Sequence, residues 1–154
     1  VAVQALEQGN RDIWIHDISR GTTSRLTFDP ASDRSPVWSP QSDRIAYGSL
    51  RKATIEIFTR QADGTGAAEL LESSPFPEVP QDWSANGQTL VYTLVGVNNF
   101  TDWDIWSLSL DGEKAPSPFR DDTFRLGQGQ FSPDGKYLAF MSDKSGRPEI
   151  YVTR

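Results

Sequence analysis

The 154-residue chain contains no cysteine, one histidine and one methionine. The absence of cysteine excludes disulfide bonds, thiolate metal sites and cysteine nucleophiles. The single histidine, His16, cannot by itself form a histidine-based zinc site, and no motif places a nucleophile beside it. We therefore expect no catalytic residue, no cofactor and no bound metal, and we do not expect the chain to be an enzyme.

Long apolar runs and clusters of positive charge are also missing. No apolar stretch approaches the roughly 20 residues that span a bilayer, so we expect no membrane insertion. The segment 1–6 is too short for a signal peptide and lacks its basic start, and the chain begins without methionine, which suggests a processed or excised piece. The net charge is -6 and the lysines and arginines are scattered singly, which disfavours a nucleic-acid partner.

Turn-forming and aromatic residues are abundant. The chain has 12 glycines, 10 prolines, five tryptophans, four tyrosines and eight phenylalanines. Hydrophobic residues make up 36% of the chain, which is enough for a folded core. This composition favours many short strands joined by turns over helices, so we predict an all-β fold.

Two short sequence words recur at intervals of 44 to 48 residues. The first word, an acid followed by isoleucine and an aromatic residue, has four copies: Asp12-Ile13-Trp14-Ile15, Glu56-Ile57-Phe58-Thr59, Asp104-Ile105-Trp106-Ser107 and Glu149-Ile150-Tyr151-Val152. The second word has three copies: Trp38-Ser39-Pro40, Trp83-Ser84-Ala85 and Phe131-Ser132-Pro133. A period in the forties is typical of propeller blades or helical arrays.

An alternation of apolar residues follows each copy of the second word. Ile45 and Tyr47 are one example, and their period of two indicates a strand and excludes helical arrays. Between word and strand lie Asn86-Gly87 and Asp134-Gly135, which close tight hairpins, whereas the first copy has the weaker turn pair Gln41-Ser42. Each repeat is therefore predicted to be a four-stranded antiparallel meander that buries its faces by stacking on its neighbours.

The most complete copy of the repeat lies near the end of the chain. It reads Phe131-Ser132-Pro133-Asp134-Gly135-Lys136-Tyr137-Leu138-Ala139-Phe140 and continues to Glu149-Ile150-Tyr151. This pattern, which covers essentially the whole chain, resembles the TolB-like, or WD40-like, β-propeller repeat. The segment 12–40 is most similar to the propeller regions attached to bacterial Ser/Thr kinases. The resemblance implies a bacterial recognition scaffold, and it favours the periplasm or another extracytoplasmic location over the cytoplasm.

The register of the repeats predicts where the blades lie. Val1 aligns with Ile45, so the chain opens on the second strand of a blade, and it closes on a third strand. We predict one propeller segment over 1–154, with two complete four-stranded blades flanked by two three-stranded ones. The complete blades cover about 35–72 and 80–120, and the partial ones about 1–28 and 127–154. Because propellers usually have four to eight blades, we expect self-association or flanking sequence to complete the ring.

The loops between blades and between second and third strands are predicted to emerge on one face and to bind a protein or peptide. Five aromatic residues recur at equivalent positions and are expected to pack between blades: Trp14, Trp38, Trp83, Trp106 and Tyr151. Phe100 and Trp103 do not fall at these repeat positions and lie in a lengthened loop between a second and a third strand. Together with Arg34 and Arg125 they are the predicted partner-binding residues, because aromatic residues and arginine anchor interfaces.

Other interpretations of the same sequence remain open. The repeats would also suit a ligand-sensing or substrate-gating accessory domain of a kinase or prolyl-oligopeptidase-type enzyme, or a structural fragment without a binding function. Asp102 with Asp104, and Asp121 with Asp122, form carboxylate pairs that we interpret as solvated turn residues rather than an acid–base pair. The loop 143–146 offers oxygen ligands for calcium but lacks the ligand density of an EF-hand.

Overall fold

A computed structural model describes residues 1–96, 102–112, 114–119 and 123–154. These residues form fourteen β-strands and no helix. The strands are β1 Ala2–Glu7, β2 Asn10–Asp17, β3 Thr22–Arg25, β4 Ser32–Trp38, β5 Arg44–Leu50, β6 Glu56–Gln61, β7 Glu69–Glu72, β8 Glu78–Trp83, β9 Thr89–Val95, β10 Trp103–Ser109, β11 Pro116–Pro118, β12 Leu126–Phe131, β13 Leu138–Ser142 and β14 Glu149–Thr153.

The described strands are grouped in four antiparallel sheets, each a meander of strands that are consecutive in sequence. Blade 1 contains β1 to β3, blade 2 contains β4 to β7, blade 3 contains β8 to β11 and blade 4 contains β12 to β14. Blades 2 and 3 have four strands, and blades 1 and 4 have three within the described residues. This arrangement confirms the predicted all-β fold of two four-stranded blades flanked by two three-stranded ones.

The serine of the second repeated word holds the hairpin that follows it. The backbone N–H five residues later donates to its hydroxyl, at 3.0 Å for Ser39, 2.9 Å for Ser84 and 3.0 Å for Ser132. The hydroxyl also donates to a turn side chain, as Ser84 does to Asn86 at 2.7 Å. In the copy with the weaker turn signature, Ser42 adopts the positive φ, 60°, that glycine supplies in the other two.

Apolar clusters fill the junctions between consecutive blades in the described part of the chain. Each cluster contains an isoleucine from the third strand of one blade, and Ile13, Ile57 and Ile105 are each 0% exposed. The next blade contributes an aromatic residue from its second strand: Tyr47, Tyr92 and Phe140. Every one of these junctions therefore joins an isoleucine face of one blade to an aromatic face of the next.

The outer faces of blades 1 and 4 have no blade packed on them within the described residues. Ile150 occupies the repeat position of the three buried isoleucines, yet it is 67% exposed, and Val152 is 65% exposed. On blade 1, Trp14 lines an open cavity with Leu6 and His16, whereas Trp106, at the same repeat position, packs into a junction. The two outer faces are thus an isoleucine face on blade 4 and an aromatic face on blade 1.

A β-bulge interrupts the first strand of blades 2, 3 and 4. In β12 the register shifts between Gly127 and Gln130, and Gln128 adopts a φ of 56°. In β4 the shift begins at Arg34, and the adjacent Ser35 has a φ of 52°. Bulges bend a strand and redirect its side chains, and the bulge in β12 shapes the site described next.

Candidate functional site

Trp103 is the first residue of β10, where it pairs with Val95 on β9. The residue is 40% exposed, whereas the four other tryptophans are only partly exposed and fall in a lower range. The indole lies across Gly127 of the neighbouring blade, because a Cβ placed on that glycine would be 3.3 Å from Cε3 of Trp103. Trp103 consequently forms a wall shared by two cavities at the junction of blades 3 and 4.

The first cavity, which we call the neutral recess, has a volume of about 300 Å³. The described residues that line it carry no charge: Val79, Gln81, Thr93, Val95, Trp103, Gly127 and Gln128. Two valines and the indole supply apolar walls, and two glutamines supply amide groups. The neutral recess is therefore a largely apolar depression with uncharged polar groups.

The neutral recess exists because three residues differ from their equivalents one blade earlier. At the junction of blades 2 and 3, Gly48 takes the position of Thr93, and a Cβ there would lie 2.9 Å from Cγ2 of Ile55. The two blades are therefore in close contact at Gly48. At the junction of blades 3 and 4, Trp103 replaces Ile55 and Gly127 replaces Val79, so the larger residue stands opposite a position without a side chain.

The second cavity, which we call the charged recess, has a volume of about 420 Å³. Trp103 and Met141 contribute to its walls, and Arg125, Asp143 and Arg147 bring charge. The backbone N–H of Arg125 donates to Oδ1 of Asp143 at 2.9 Å, and its Nε lies 3.8 Å from Oδ2 of the same carboxylate. The Arg125 side chain is half exposed, so its guanidinium is available to a partner at the rim of the cavity.

Two of the four predicted partner-binding residues meet in this region, since Trp103 and Arg125 line the same charged recess. Phe100 lies outside the described residues. Arg34 was expected in the loop between the first two blades, because the second blade was predicted to begin at about residue 35. This is corrected, since Arg34 lies within β4, whose pairing with β5 already begins at Ser32. There Nη2 of Arg34 donates to the Ser32 hydroxyl at 3.4 Å, and its Nε is buried without a hydrogen bond.

The glycine-rich part of β12 was overlooked in the sequence. β12 reads Leu-Gly-Gln-Gly-Gln-Phe, whereas β8, the same strand one blade earlier, reads Glu-Val-Pro-Gln-Asp-Trp. Glycine at 127 and 129 removes two side chains from a strand that packs between blades. The glycine at 127 is a sequence signal of lost volume in this strand, but the sequence alone does not show that Trp103 lies opposite it.

Two buried carboxyl groups occupy the same repeat position in blades 2 and 3. Burial raises the pKa of Asp33 to about 6, and a hydrogen bond from the Ser49 hydroxyl acts in the opposite direction. Burial also raises the pKa of Glu78 to about 7, with the nearby Glu72 adding to the rise. Neither acid lines the neutral or the charged recess, and the equivalent residue in blade 4 is Leu126.

Two other groups considered for chemistry, His16 and Asp143, each contact a neighbouring side chain. His16 is exposed on β2, where its Nδ1 lies 2.8 Å from the Thr23 hydroxyl. Asp143, from the loop weighed for calcium, is paired with Arg125. Within the described ranges there is no group of three or more His, Cys, Asp or Glu residues that could hold a metal ion. The same ranges hold no helix with the length and apolar character to cross a membrane.

Comparison with known proteins found no matching protein-family model. An uncharacterised protein of Agrobacterium fabrum is 26% identical over 140 residues, a match that covers 84% of this chain and 46% of that protein. The chain therefore spans about half the length of this curated relative.

Solved structures show the same fold. TolB from Acinetobacter baumannii matches with a TM-score of 0.81 and 22% identity, covering 98% of this chain and 38% of that one. A protein described as TolB from Agrobacterium tumefaciens matches with a TM-score of 0.80 and 19% identity, covering 99% of this chain and 56% of that one. Dipeptidyl peptidase 4 from Porphyromonas gingivalis matches with a TM-score of 0.72 and 13% identity. This match covers 99% of this chain and 22% of that one. The chain has the fold of part of a TolB-like β-propeller.

Proposed function

We propose that this segment of a TolB-like propeller is a non-catalytic scaffold that binds a protein or peptide where blades 3 and 4 meet. The observation that carries the proposal is Trp103, a partly exposed tryptophan between two cavities. Tryptophan and arginine are the residues most often found to dominate binding energy at interfaces, especially beside pockets that a partner can fill. Trp103, the first residue of β10, and Arg125, which directly precedes β12, provide this combination.

Selection from a displayed random-peptide library tests the proposal without a known partner. We expect peptides that bind the wild-type chain to lose at least about 30-fold in affinity for Trp103→Ala, because a hot-spot residue contributes about 2 kcal/mol or more. Isothermal titration calorimetry measures the loss. The matched control is Tyr137→Ala, which removes a similarly exposed aromatic residue after the hairpin of blade 4. Equal binding to all three proteins would contradict the proposed site.

Arg125 provides a second measurement on the same peptides. We propose that it contributes through its half-exposed guanidinium. Arg34, which lines neither recess, stays a prediction of partner contact, and so does Phe100, which lies outside the described residues. An Arg125→Ala variant separates the charged recess from the indole wall, since it leaves Trp103 in place.

We further propose that the ring is completed by self-association or by flanking sequence. The support is the outer face of blade 4, where Ile150 and Val152 are largely exposed although the isoleucine at this position is fully buried in the three other blades. Large exposed apolar patches mark interaction sites in soluble proteins. We place the assembled scaffold outside the bacterial cytoplasm, in line with the sequence resemblance.

The second candidate function is a ligand-sensing or substrate-gating accessory domain of a kinase or prolyl-oligopeptidase-type enzyme. The structural likeness to dipeptidyl peptidase 4 favours the peptidase version, because that protein's structure contains a region of the same fold. The coding sequence around the chain discriminates between the candidates. A hydrolase or kinase domain in the same reading frame would support the accessory function, and further propeller blades alone would support the scaffold.

A further inference from the structure

We propose that the neutral recess binds one uncharged aromatic side chain of the partner. The inference rests on the proposed function and specifies the chemistry of the residue that the site accepts. It concerns the recess between blades 3 and 4 and leaves the charged recess as a separate contact.

The lining of the neutral recess selects against charge. No acidic or basic side chain is among the described residues around it. A charged group that enters such a depression loses hydration without gaining an opposite charge, and this makes its binding unfavourable. An uncharged side chain incurs no such cost.

Size and wall chemistry favour an aromatic occupant. A volume of about 300 Å³ is at the lower end of the range for small-molecule sites, so the recess suits one large side chain better than a whole metabolite. The Trp103 indole forms one wall, with Val79 and Val95 on β8 and β9 nearby. Aromatic rings gain from packing edge-on or offset against another ring, in addition to the area that they bury.

The polar groups of the recess suit the backbone that would carry such a side chain. Gln128 is exposed at the bulge of β12, and its amide can donate to or accept from a passing peptide group. The amide nitrogen of Gln81 donates to the backbone carbonyl of Val79 at 3.4 Å, and the oxygen of a glutamine amide can accept hydrogen bonds. An extended peptide can therefore form hydrogen bonds with the rim while one ring enters the recess.

Titration of the isotope-labelled full chain with small amides tests this directly by NMR. The probes are N-acetyl-phenylalaninamide, N-acetyl-leucinamide and N-acetyl-lysinamide. We expect saturable shifts of the Gly127 and Gln128 amides and of the Trp103 indole N–H with the phenylalanine probe. The leucine probe should bind several-fold more weakly, and the lysine probe should produce no saturable shift.

Two glycines of β12 provide a variant and its control. Gly127→Val places methyl groups against Trp103, because a Cβ there is already 3.3 Å from the ring, and it should reduce affinity for the phenylalanine probe at least about 10-fold. Gly129→Ala adds a Cβ 3.4 Å from Cδ1 of Ile105, an ordinary contact outside the recess, and should leave the affinity unchanged. If Gly127→Val does not fold, Trp103→Leu removes the ring and should abolish the preference for phenylalanine over leucine.

Three outcomes would overturn the inference. The phenylalanine probe could produce no saturable shift, or all three probes could bind equally. The third is undiminished binding of the phenylalanine probe to a Gly127→Val variant whose spectrum away from the recess matches that of the wild type. The proposed function fails in a different way. If selected peptides depend on Trp103 but show no aromatic preference, the recognition site stands and the assignment of the neutral recess is wrong.

Discussion

At the scale of single residues, Asp33 and Glu78 are acids in an unusual environment for a carboxylate. Both side chains are fully buried at the blade junctions, where desolvation disfavours the ionised carboxylate. Their pKa values of about 6 and about 7 mean that each carboxyl holds its proton more tightly in the folded chain than in the unfolded one. Stability is consequently linked to pH at these two positions.

We predict that Glu78→Gln becomes more stable relative to wild type as the pH rises. The stabilisation from the protonated Glu78 is fully present below pH 4.5, its ordinary pKa, and is lost as the pH rises through about 7. Glutamine has no proton to lose, so the difference in unfolding free energy should grow by up to about 3 kcal/mol between pH 4.5 and 8. Urea unfolding followed by tryptophan fluorescence measures both profiles.

Glu7→Gln is the control for the loss of one carboxylate, because Glu7 is exposed at the end of β1. Its unfolding free energy should follow the wild-type profile at every pH. Parallel profiles for Glu78→Gln and wild type would show that the buried carboxyl does not contribute to the pH dependence.

At the scale of elements, the repeated serine explains why the hairpins form despite different turn residues. The Ser84 hydroxyl accepts from the backbone N–H of Thr89 and donates to Asn86, so it joins the two ends of the turn. We predict that Ser84→Ala lowers the unfolding free energy by about 1 kcal/mol, since two hydrogen bonds are lost near the start of β9. Chemical denaturation measures the change.

The comparison for this prediction is Ser24→Ala in β3, where the serine is exposed on a strand rather than at a turn. Its unfolding free energy should stay within about 0.5 kcal/mol of wild type. Equal losses in the two variants would mean that the repeated serine contributes no more than any strand serine.

Most elements could be predicted because the repeat combines three independent signals: strand alternation, turn residues and the period of the two words. The bulges could not, since Ser35 and Gln128 adopt positive φ although neither is glycine. The predicted position of Arg34 was wrong for the same reason. The bulge in β4 lies after Arg34, and the strand already begins two residues before it, at Ser32. The neutral recess depends on Trp103 meeting Gly127 across a blade junction, and no local pattern in a single sequence relates two such distant residues.

At the scale of the whole molecule, the outer face of blade 4 leaves Ile150 and Val152 largely exposed. We predict that the wild-type chain self-associates and that Ile150→Glu shifts it toward the monomer, because a carboxylate would be buried in an apolar contact. Light scattering at increasing concentration measures the mass. Ile18→Glu is the control, since Ile18 is even more exposed but lies in a turn outside the blade faces.

A monomeric wild-type chain at high concentration would contradict this prediction, and so would equal dissociation of both variants. In the first case, completion of the ring would depend on flanking sequence. In the second, the exposed apolar residues would act through general solubility, and the face of blade 4 would have no special role.

The junctions also give the stack a direction. Each one joins an isoleucine face to an aromatic face, so blade 1 and blade 4 present different surfaces to their surroundings. A two-fold axis through either outer face would place like against like, isoleucine on isoleucine or Trp14 on Trp14. Copies that pack as the blades do must instead place the isoleucine face of one chain on the aromatic face of the next, head to tail. Repetition of this contact gives a closed ring with cyclic symmetry if the rotation closes, and a filament if it does not.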